Sequence, residues 1–396
     1  MTYLDCAATT PLEPRVGKAV VRYLDIDFGN AGSRGHEFGV RARRAVEKAR
    51  DQVASVVSAR RGDVVFTSGA TESSNLAILG LAEYGRQHGK LHLVGTLIEH
   101  HAVLEPLHWL ERQGFSLTLV PPNRGGWVEP QVVSRAMRED TLLVSVMHAN
   151  NETGVLQPIE EIARVIENHP AYLHVDAAQT FGREVETLRN PRIDLISISG
   201  HKIHAPKGVG ALVTRRRNGE HVPLMPLMHG GGQERGLRPG TLPVHLIAGL
   251  GLAAELAAVE EVERAGKCRR FRERLLDALA PLRPVLNGDQ VRTLPHILNL
   301  SFPGLDSEEV MVALRDLVAL SNGAACTSQS QTCSHVLGAM GLEASVMEGA
   351  LRWSWSHMTE EPEWESIVAI LTALPRDGAI GLAYDPTREG STYDAG

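Results

Sequence analysis

The sequence predicts an α/β protein: a large domain with a mainly parallel seven-stranded sheet flanked by helices, and a smaller α+β domain. Three observations predict it. Short apolar runs rich in Val, Ile and Leu end in Gly, Ser, Asn or Asp. Amphipathic stretches with apolar residues three and four apart separate them. The chain has 396 residues and is 43% hydrophobic, enough to fill two cores.

In chain order, the buried strands are read as DVVFTSGA (63–70), HLVGTLI (92–98), LTLVP (117–121), TLLVSVMHAN (141–150), YLHVDAA (172–178), DLISISG (194–200) and GVGALVT (208–214). TESSNLAILGLAEYGRQHG (71–89) and IEEIARVIENHP (159–170) read as helices between them. Alternation of strand and helix implies a sheet covered on both faces, with ligands beyond the carboxyl ends of the strands. From Val244 to Leu279 an Ala/Glu/Arg/Leu-rich stretch reads as long and helical, a link between two domains. HILNLSF, the helix SEEVMVALRDL, the strand VAL, a cysteine loop and ALRWSWS then build the smaller domain. The last stretch, GLAYDPTREGSTYDAG, reads as a loose tail. The expected division is 16–260 for the large domain, with 1–15 and 261–396 forming the small one.

Net charge is −7 with both signs spread along the chain, so no direct contact with nucleic acid is expected. No apolar run reaches the roughly 18 residues of a membrane span. MTYLDCAATTPLEPR lacks the pattern of a secretory signal, so the expected location is the cytoplasm. Cysteines at 6, 268, 326 and 333 form no CxxC pair, which argues against structural zinc; no metal is expected. A structural disulfide is a poor default in a reducing compartment.

Polar residues collect at the strand ends. Lys202 follows a buried strand in SISGHK, where a desolvated amine can form a Schiff base with a carbonyl cofactor, or can simply snorkel to solvent. Asp176 ends HVD, with Gln179 three residues on; a buried carboxylate calls for a cation, and a protonated pyridine nitrogen is one. TSGATESSNLA opens a helix whose N–H groups, with Thr71, suit a phosphate, though many capped helices begin this way. His100 can stack on a ring or serve structure alone. Asn150 and Asn151 offer neutral donors, or a plain turn.

Together these segments resemble the cysteine desulfurases, over nearly the whole chain to about residue 375. The resemblance is carried by YLDCAATTPL (3–12), FTSGATESSNL (66–76), MHANNETGV (147–155), HVDAAQ (174–179), SISGHKIHAPKGVGAL (197–212), MHGGGQERGLRPGTLP (228–243) and NGAACTS (322–328). Within that family the chain looks like the subgroup with a long cysteine loop, here about 321–335. It looks most like the members that serve bacterial DNA phosphorothioate modification. The resemblance implies the type I fold of pyridoxal-phosphate enzymes, like that of the class-V aminotransferases, with pyridoxal 5'-phosphate as cofactor. It implies that Lys202 forms the Schiff base and Asp176 pairs with the pyridine nitrogen. Gln179 and Asn151 would bear on the ring hydroxyl or the substrate, and His100 would stack on the ring. Ala70, Thr71, Ser199 and His201 would hold the phosphate. Thr241 would reach the phosphate of a neighbouring subunit in a homodimer, and Arg352 would grip the substrate carboxylate.

With L-cysteine as substrate, Cys326 would take the sulfur as a persulfide, leave L-alanine, and pass the sulfur to an acceptor protein. Cys333 is the rival nucleophile, but ACTS places Cys326 at the family position. The acceptor would be a DNA-modification complex, an iron–sulfur scaffold or a tRNA-thiolating protein. QSQTC (329–333), His204, Ala205 and Pro239 depart from the family pattern. Two other readings stand beside this one: an aminotransferase or lyase needing Lys202 and Asp176 but not Cys326, and a weakly catalytic scaffold that organises partner proteins.

Overall fold

The computed structural model describes residues 1–322 and 334–376; Cys326, Cys333 and the tail lie outside the described residues. The chain opens with a short strand, β1 (Thr2–Tyr3), which pairs in parallel with β11 (Val318–Ala319). The large sheet is built from β2 (Val64–Thr67), β3 (His92–Thr96), β4 (Ser116–Val120), β5 (Thr141–Met147), β6 (Tyr172–Asp176), β7 (Leu195–Ser199) and β8 (Gly210–Thr214). Its order is β2-β8-β7-β6-β5-β3-β4, and only β8 runs against its neighbours. Burial on both faces explains why most of these strands read as unbroken apolar runs.

Two layers of helix cover the sheet. Val46, Val53, Ile247 and Leu250 pack against Val144, Val175 and Ile198 on one face. Leu76, Ile78, Val103 and Leu107 pack against Val65, Leu93 and Leu143 on the other. A third core joins Leu4, Phe271, Leu275, Trp353, Trp355 and Ile367. It is built on the antiparallel sheet of β9 (Val285–Leu286), β10 (Ile297–Ser301) and β12 (Ala350–Ser354), and the bridge Asp5↔Ser354 ties the N-terminal segment to it.

Three helices differ from their sequence reading. The 71–89 stretch is two helices, Ala70–Leu79 and Ala82–Gln87. At Gly80 between them the backbone passes so close to the Met225 carbonyl that an added Cβ would lie 3.0 Å from its oxygen. The 159–170 helix stops at Val165. The 244–279 stretch breaks at Glu260 (φ −100°, ψ 10°) into Val244–Val259 and Glu261–Leu279. The first half packs into the core of the large sheet, and Cys268, Phe271 and Leu275 of the second pack into the smaller core. Among the described residues no helix is long and apolar enough to cross a membrane, and no cluster of metal-ligating side chains occurs.

Candidate active site

A cavity of about 510 Å³ lies at the carboxyl ends of the parallel strands, within the range of small-molecule sites. Ala70, Thr71, His100, Asn151, Asp176, Gln179, Ser199, His201, Lys202 and Arg352 all line it. Residues more than 280 apart in sequence thus share one wall: Ala70 follows β2, while Arg352 sits in the middle of β12. Thr241 is exposed and is not part of this chain's lining.

The lysine turn is a short helical bend, Gly200–Lys202, directly after β7. Lys202 Nζ donates to the carbonyls of Ala7 and Ala8, the latter at 2.9 Å. The N-terminal DCAATT segment therefore closes over the amine. It is pinned there by Thr10, whose hydroxyl donates to the His201 carbonyl at 2.8 Å, and by Thr9, which meets His201 Nδ1 at 3.1 Å. Burial, with the charges of Lys202 and Lys207, pushes the His201 pKa down to about 4.

Asp176 ends β6 with its carboxyl buried. Burial pushes its pKa up to about 6, and the Ala178 N–H (2.9 Å) and the Lys202 charge offset only part of that. Gln179 donates to the Ala7 carbonyl at 3.0 Å, while its buried Oε1 has no hydrogen-bond partner. The arrangement asks for a cationic ring group against Asp176 and a donor against Gln179 Oε1.

His100 caps the helix His101–Arg112, its Nδ1 accepting from Ala102 N–H at 3.0 Å. That bond assigns the neutral ring's proton to Nε2. Burial first, then the charges of Lys202, His101 and His335, pushes its pKa down to about 4. The neighbouring helix Ala70–Leu79 presents its N-terminus to the cavity, a place where backbone N–H groups suit an anion. Gly210 lets this turn sit against the sheet, since a Cβ there would come within 2.6 Å of Gly69 Cα. Glu72 holds the turn by accepting from Ser68 N–H at 2.7 Å, and Arg238 of the RPGT segment pairs with Glu72 at 3.1 Å.

Arg352 is 2% exposed. One terminal nitrogen donates to the Asn151 carbonyl at 3.0 Å and the other to Asp5 at 2.8 Å. Its Nε is buried without a partner. Asn150 does not line the cavity: it is fully buried, donates to the Ile98 carbonyl and accepts from Glu152 N and Thr153 N.

Sequence reasoning missed three acids around this site. Asp5 is the counter-ion of Arg352. Glu99 is fully buried beneath His100, accepts from Thr96 Oγ1 and Met147 N–H, and has its pKa pushed up to about 8 by burial. Glu152 is 4% exposed and accepts from the Ser334 hydroxyl, with burial pushing its pKa up to about 7. A glutamate inside an otherwise apolar strand end, as in LIEHH, is the signal that marks Glu99.

Lysine amine, buried carboxyl, unpartnered amide oxygen and helix N-terminus suit the ring and phosphate of pyridoxal 5'-phosphate. Comparison with known proteins agrees. The aminotransferase class-V family model matches residues 2–363. The cysteine desulfurase IscS of Vibrio cholerae is 42% identical over 392 residues, 98% of this chain and 96% of that protein. The solved structure of DndA from Streptomyces lividans is 50% identical with a TM-score of 0.78, covering 90% of this chain and 99% of that one. SspA, solved in complex with cysteine, is 35% identical with a TM-score of 0.78, covering 89% and 98%. The chain belongs to the class-V aminotransferase family, and within it to the pyridoxal-phosphate-dependent cysteine desulfurases.

Proposed function

We propose that this desulfurase converts L-cysteine to L-alanine with the sulfur held as a persulfide on Cys326, and hands it to an acceptor protein for DNA phosphorothioation. When bound, pyridoxal phosphate withdraws electrons from the substrate Cα and makes its sulfur open to attack by a thiolate. Lys202 anchors the cofactor and, once released, takes the Cα proton on Nζ. Asp176 balances the charge of the ring nitrogen, Gln179 and Asn151 face the ring hydroxyl or the substrate, and His100 stacks on the ring with Nε2–H available for proton transfer. Ala70, Thr71, Ser199 and His201 hold the phosphate. Thr241 reaches the phosphate of a partner subunit in a homodimer. Arg352 takes the substrate carboxylate. Cys326 attacks the substrate sulfur as the thiolate, and its S–S bond forms as the substrate C–S bond breaks; the bonding pair stays on the substrate Cβ, which takes up a proton equivalent to the one the thiol released. The same reading divides the chain into 16–260 and 1–15 with 261–396, so that the sulfur-carrying segment and Arg352 belong to the smaller part.

Phosphorothioation is supported by one observation, the 50% identity with DndA. A second reading, supply of sulfur to iron–sulfur assembly, is favoured by the IscS relatives at 42–44% identity. The chemistry is tested by Cys326→Ser, which is expected to keep the cofactor absorption band and form no persulfide; ordinary alanine production would refute the assignment. Lys202→Ala is expected to lose covalent cofactor. The acceptor is tested by incubating the enzyme with sulfur-labelled cysteine and the proteins of its genomic neighbourhood. Label on a DNA-modification protein supports the first reading, and label on an iron–sulfur scaffold supports the second.

A further inference from the structure

The turn Asn150–Gly154 touches one flank of the cysteine-bearing segment directly and is linked to the other through Arg352. On one side Arg352 donates a terminal N–H to the Asn151 carbonyl, while its backbone N–H donates to the Ser321 carbonyl at 2.7 Å. On the other side Glu152 Oε2 accepts from the Ser334 hydroxyl. Ser334 is the N-cap of the helix His335–Ala339 and accepts from Leu337 N–H at 3.1 Å. The hydroxyl's single proton is therefore committed to Glu152, and its lone pair to the helix. Ser334 is thus held directly by Glu152 of this turn, and Ser321 by Arg352, whose side chain the Asn151 carbonyl holds. That turn is itself rigid: Asn150 accepts from Glu152 N at 2.8 Å and Thr153 N at 3.0 Å, and Asn299 reaches the Glu152 carbonyl at 3.4 Å.

We infer that Glu152 is a positioning residue for sulfur transfer, fixing Ser334, which follows the cysteine-bearing segment in sequence, to the turn that carries Asn151. The inference deepens the proposed function and rests on Cys326 being the nucleophile. Glu152 touches neither substrate nor cofactor in this reading. Its loss acts on the transfer step and leaves cofactor binding and cysteine binding intact. Because the contact needs an acceptor oxygen and not a charge, glutamine replaces it.

The test is made on the full-length holoenzyme. Glu152→Ala is expected to lower kcat for alanine formation roughly tenfold, the scale of a misplaced reacting group, with KM for cysteine and the cofactor band unchanged. Glu152→Gln is expected to stay within about twofold of the parent. Hydrogen exchange at Leu337 is expected to quicken in Glu152→Ala and Ser334→Ala but not in Glu152→Gln. The two alanine changes together are expected to cost no more than the larger alone. An unchanged kcat in Glu152→Ala, or a raised KM and lost cofactor in place of a lowered kcat, overturns the inference. Cys326→Ser, run beside them, keeps the failures distinct. If it retains turnover, the functional reading falls and the inference with it; if it is inactive while Glu152→Ala is not impaired, only the positioning role falls.

Discussion

Arg352 shows how one side chain gathers several demands. Its guanidinium is buried, paired with Asp5 and bonded to the Asn151 carbonyl, and its Nε has no partner. Asp5 keeps the charge in place and the carbonyl sets the plane of the fork, and the other N–H donors are left for the substrate carboxylate that we propose it takes. An ammonium cannot reproduce that planar set of donors. Arg352→Lys is therefore expected to lower kcat/KM for cysteine by about 10- to 100-fold, the equivalent of one charge-assisted hydrogen bond, mostly through KM. Steady-state kinetics check it, and an unchanged KM would remove Arg352 from the carboxylate site. The sequence displays Arg352 clearly, since it sits in an apolar strand with two tryptophans. Asp5 and Glu152 were not legible, because each owes its place to a partner that only folding brings near, Arg352 and Ser334; Glu99 is marked only by its place in LIEHH.

The strands of the large sheet were legible at the scale of elements for a simple reason. Burial on both faces enriches them in branched apolar residues, and the polar residues that stop them are those that reach the cavity. Helix ends were less legible, since the breaks at Gly80 and Glu260 depend on tertiary contacts: the Met225 backbone at one, and at the other the ion pairs of Glu260 with Arg15 and Arg264. The GGGQERGLRPGT segment is a further case. Glu234 and Arg235 take left-handed φ values of 48° and 60°, and Glu234 is buried. Its carboxylate accepts from both terminal nitrogens of Arg50 at 2.8 and 2.7 Å and from Phe66 N–H at 2.7 Å. It thus fastens the loop to the helix Glu37–Val56 and to β2, while Arg50 lies over the Phe66 ring at 4.7 Å. Glu234→Ala strands a guanidinium and a strand N–H, and is expected to destabilise the fold by about 3 to 5 kcal/mol. Urea unfolding measures it; a loss below 1 kcal/mol would show that water replaces the carboxylate without cost.

The whole molecule carries an opposed set of buried titrating groups, and their balance sets the pH dependence of its stability. Burial is the first cause of shift in each. Histidines 100, 148, 201 and 357 have pKa values pushed down to about 4, and His174 and His204 to about 3, from 6.5. Between those values the unfolded chain binds more protons than the folded one, so stability rises with pH and the gain is complete near 6.5. Glu13 and Glu260, held below the usual carboxylate range by Arg15, act in the same direction at lower pH. Buried carboxyls act the other way, among them Asp176 at about 6, Glu152 at about 7 and Glu99 at about 8, which keep protons that the unfolded chain has already released. The histidines outnumber them below pH 6.5; above it the histidine contribution fades while Glu152 and Glu99 still titrate. For the cofactor-free protein, Tm is therefore expected to climb from pH 4.5 to about 6.5 and then decline toward pH 8. Glu99→Gln keeps the oxygen that accepts from Thr96 and Met147 but has no proton to lose, and is expected to flatten that decline. Calorimetry across this range decides it. A Tm that keeps rising to pH 8 in the parent would mean that Glu99 is ionised in the folded protein.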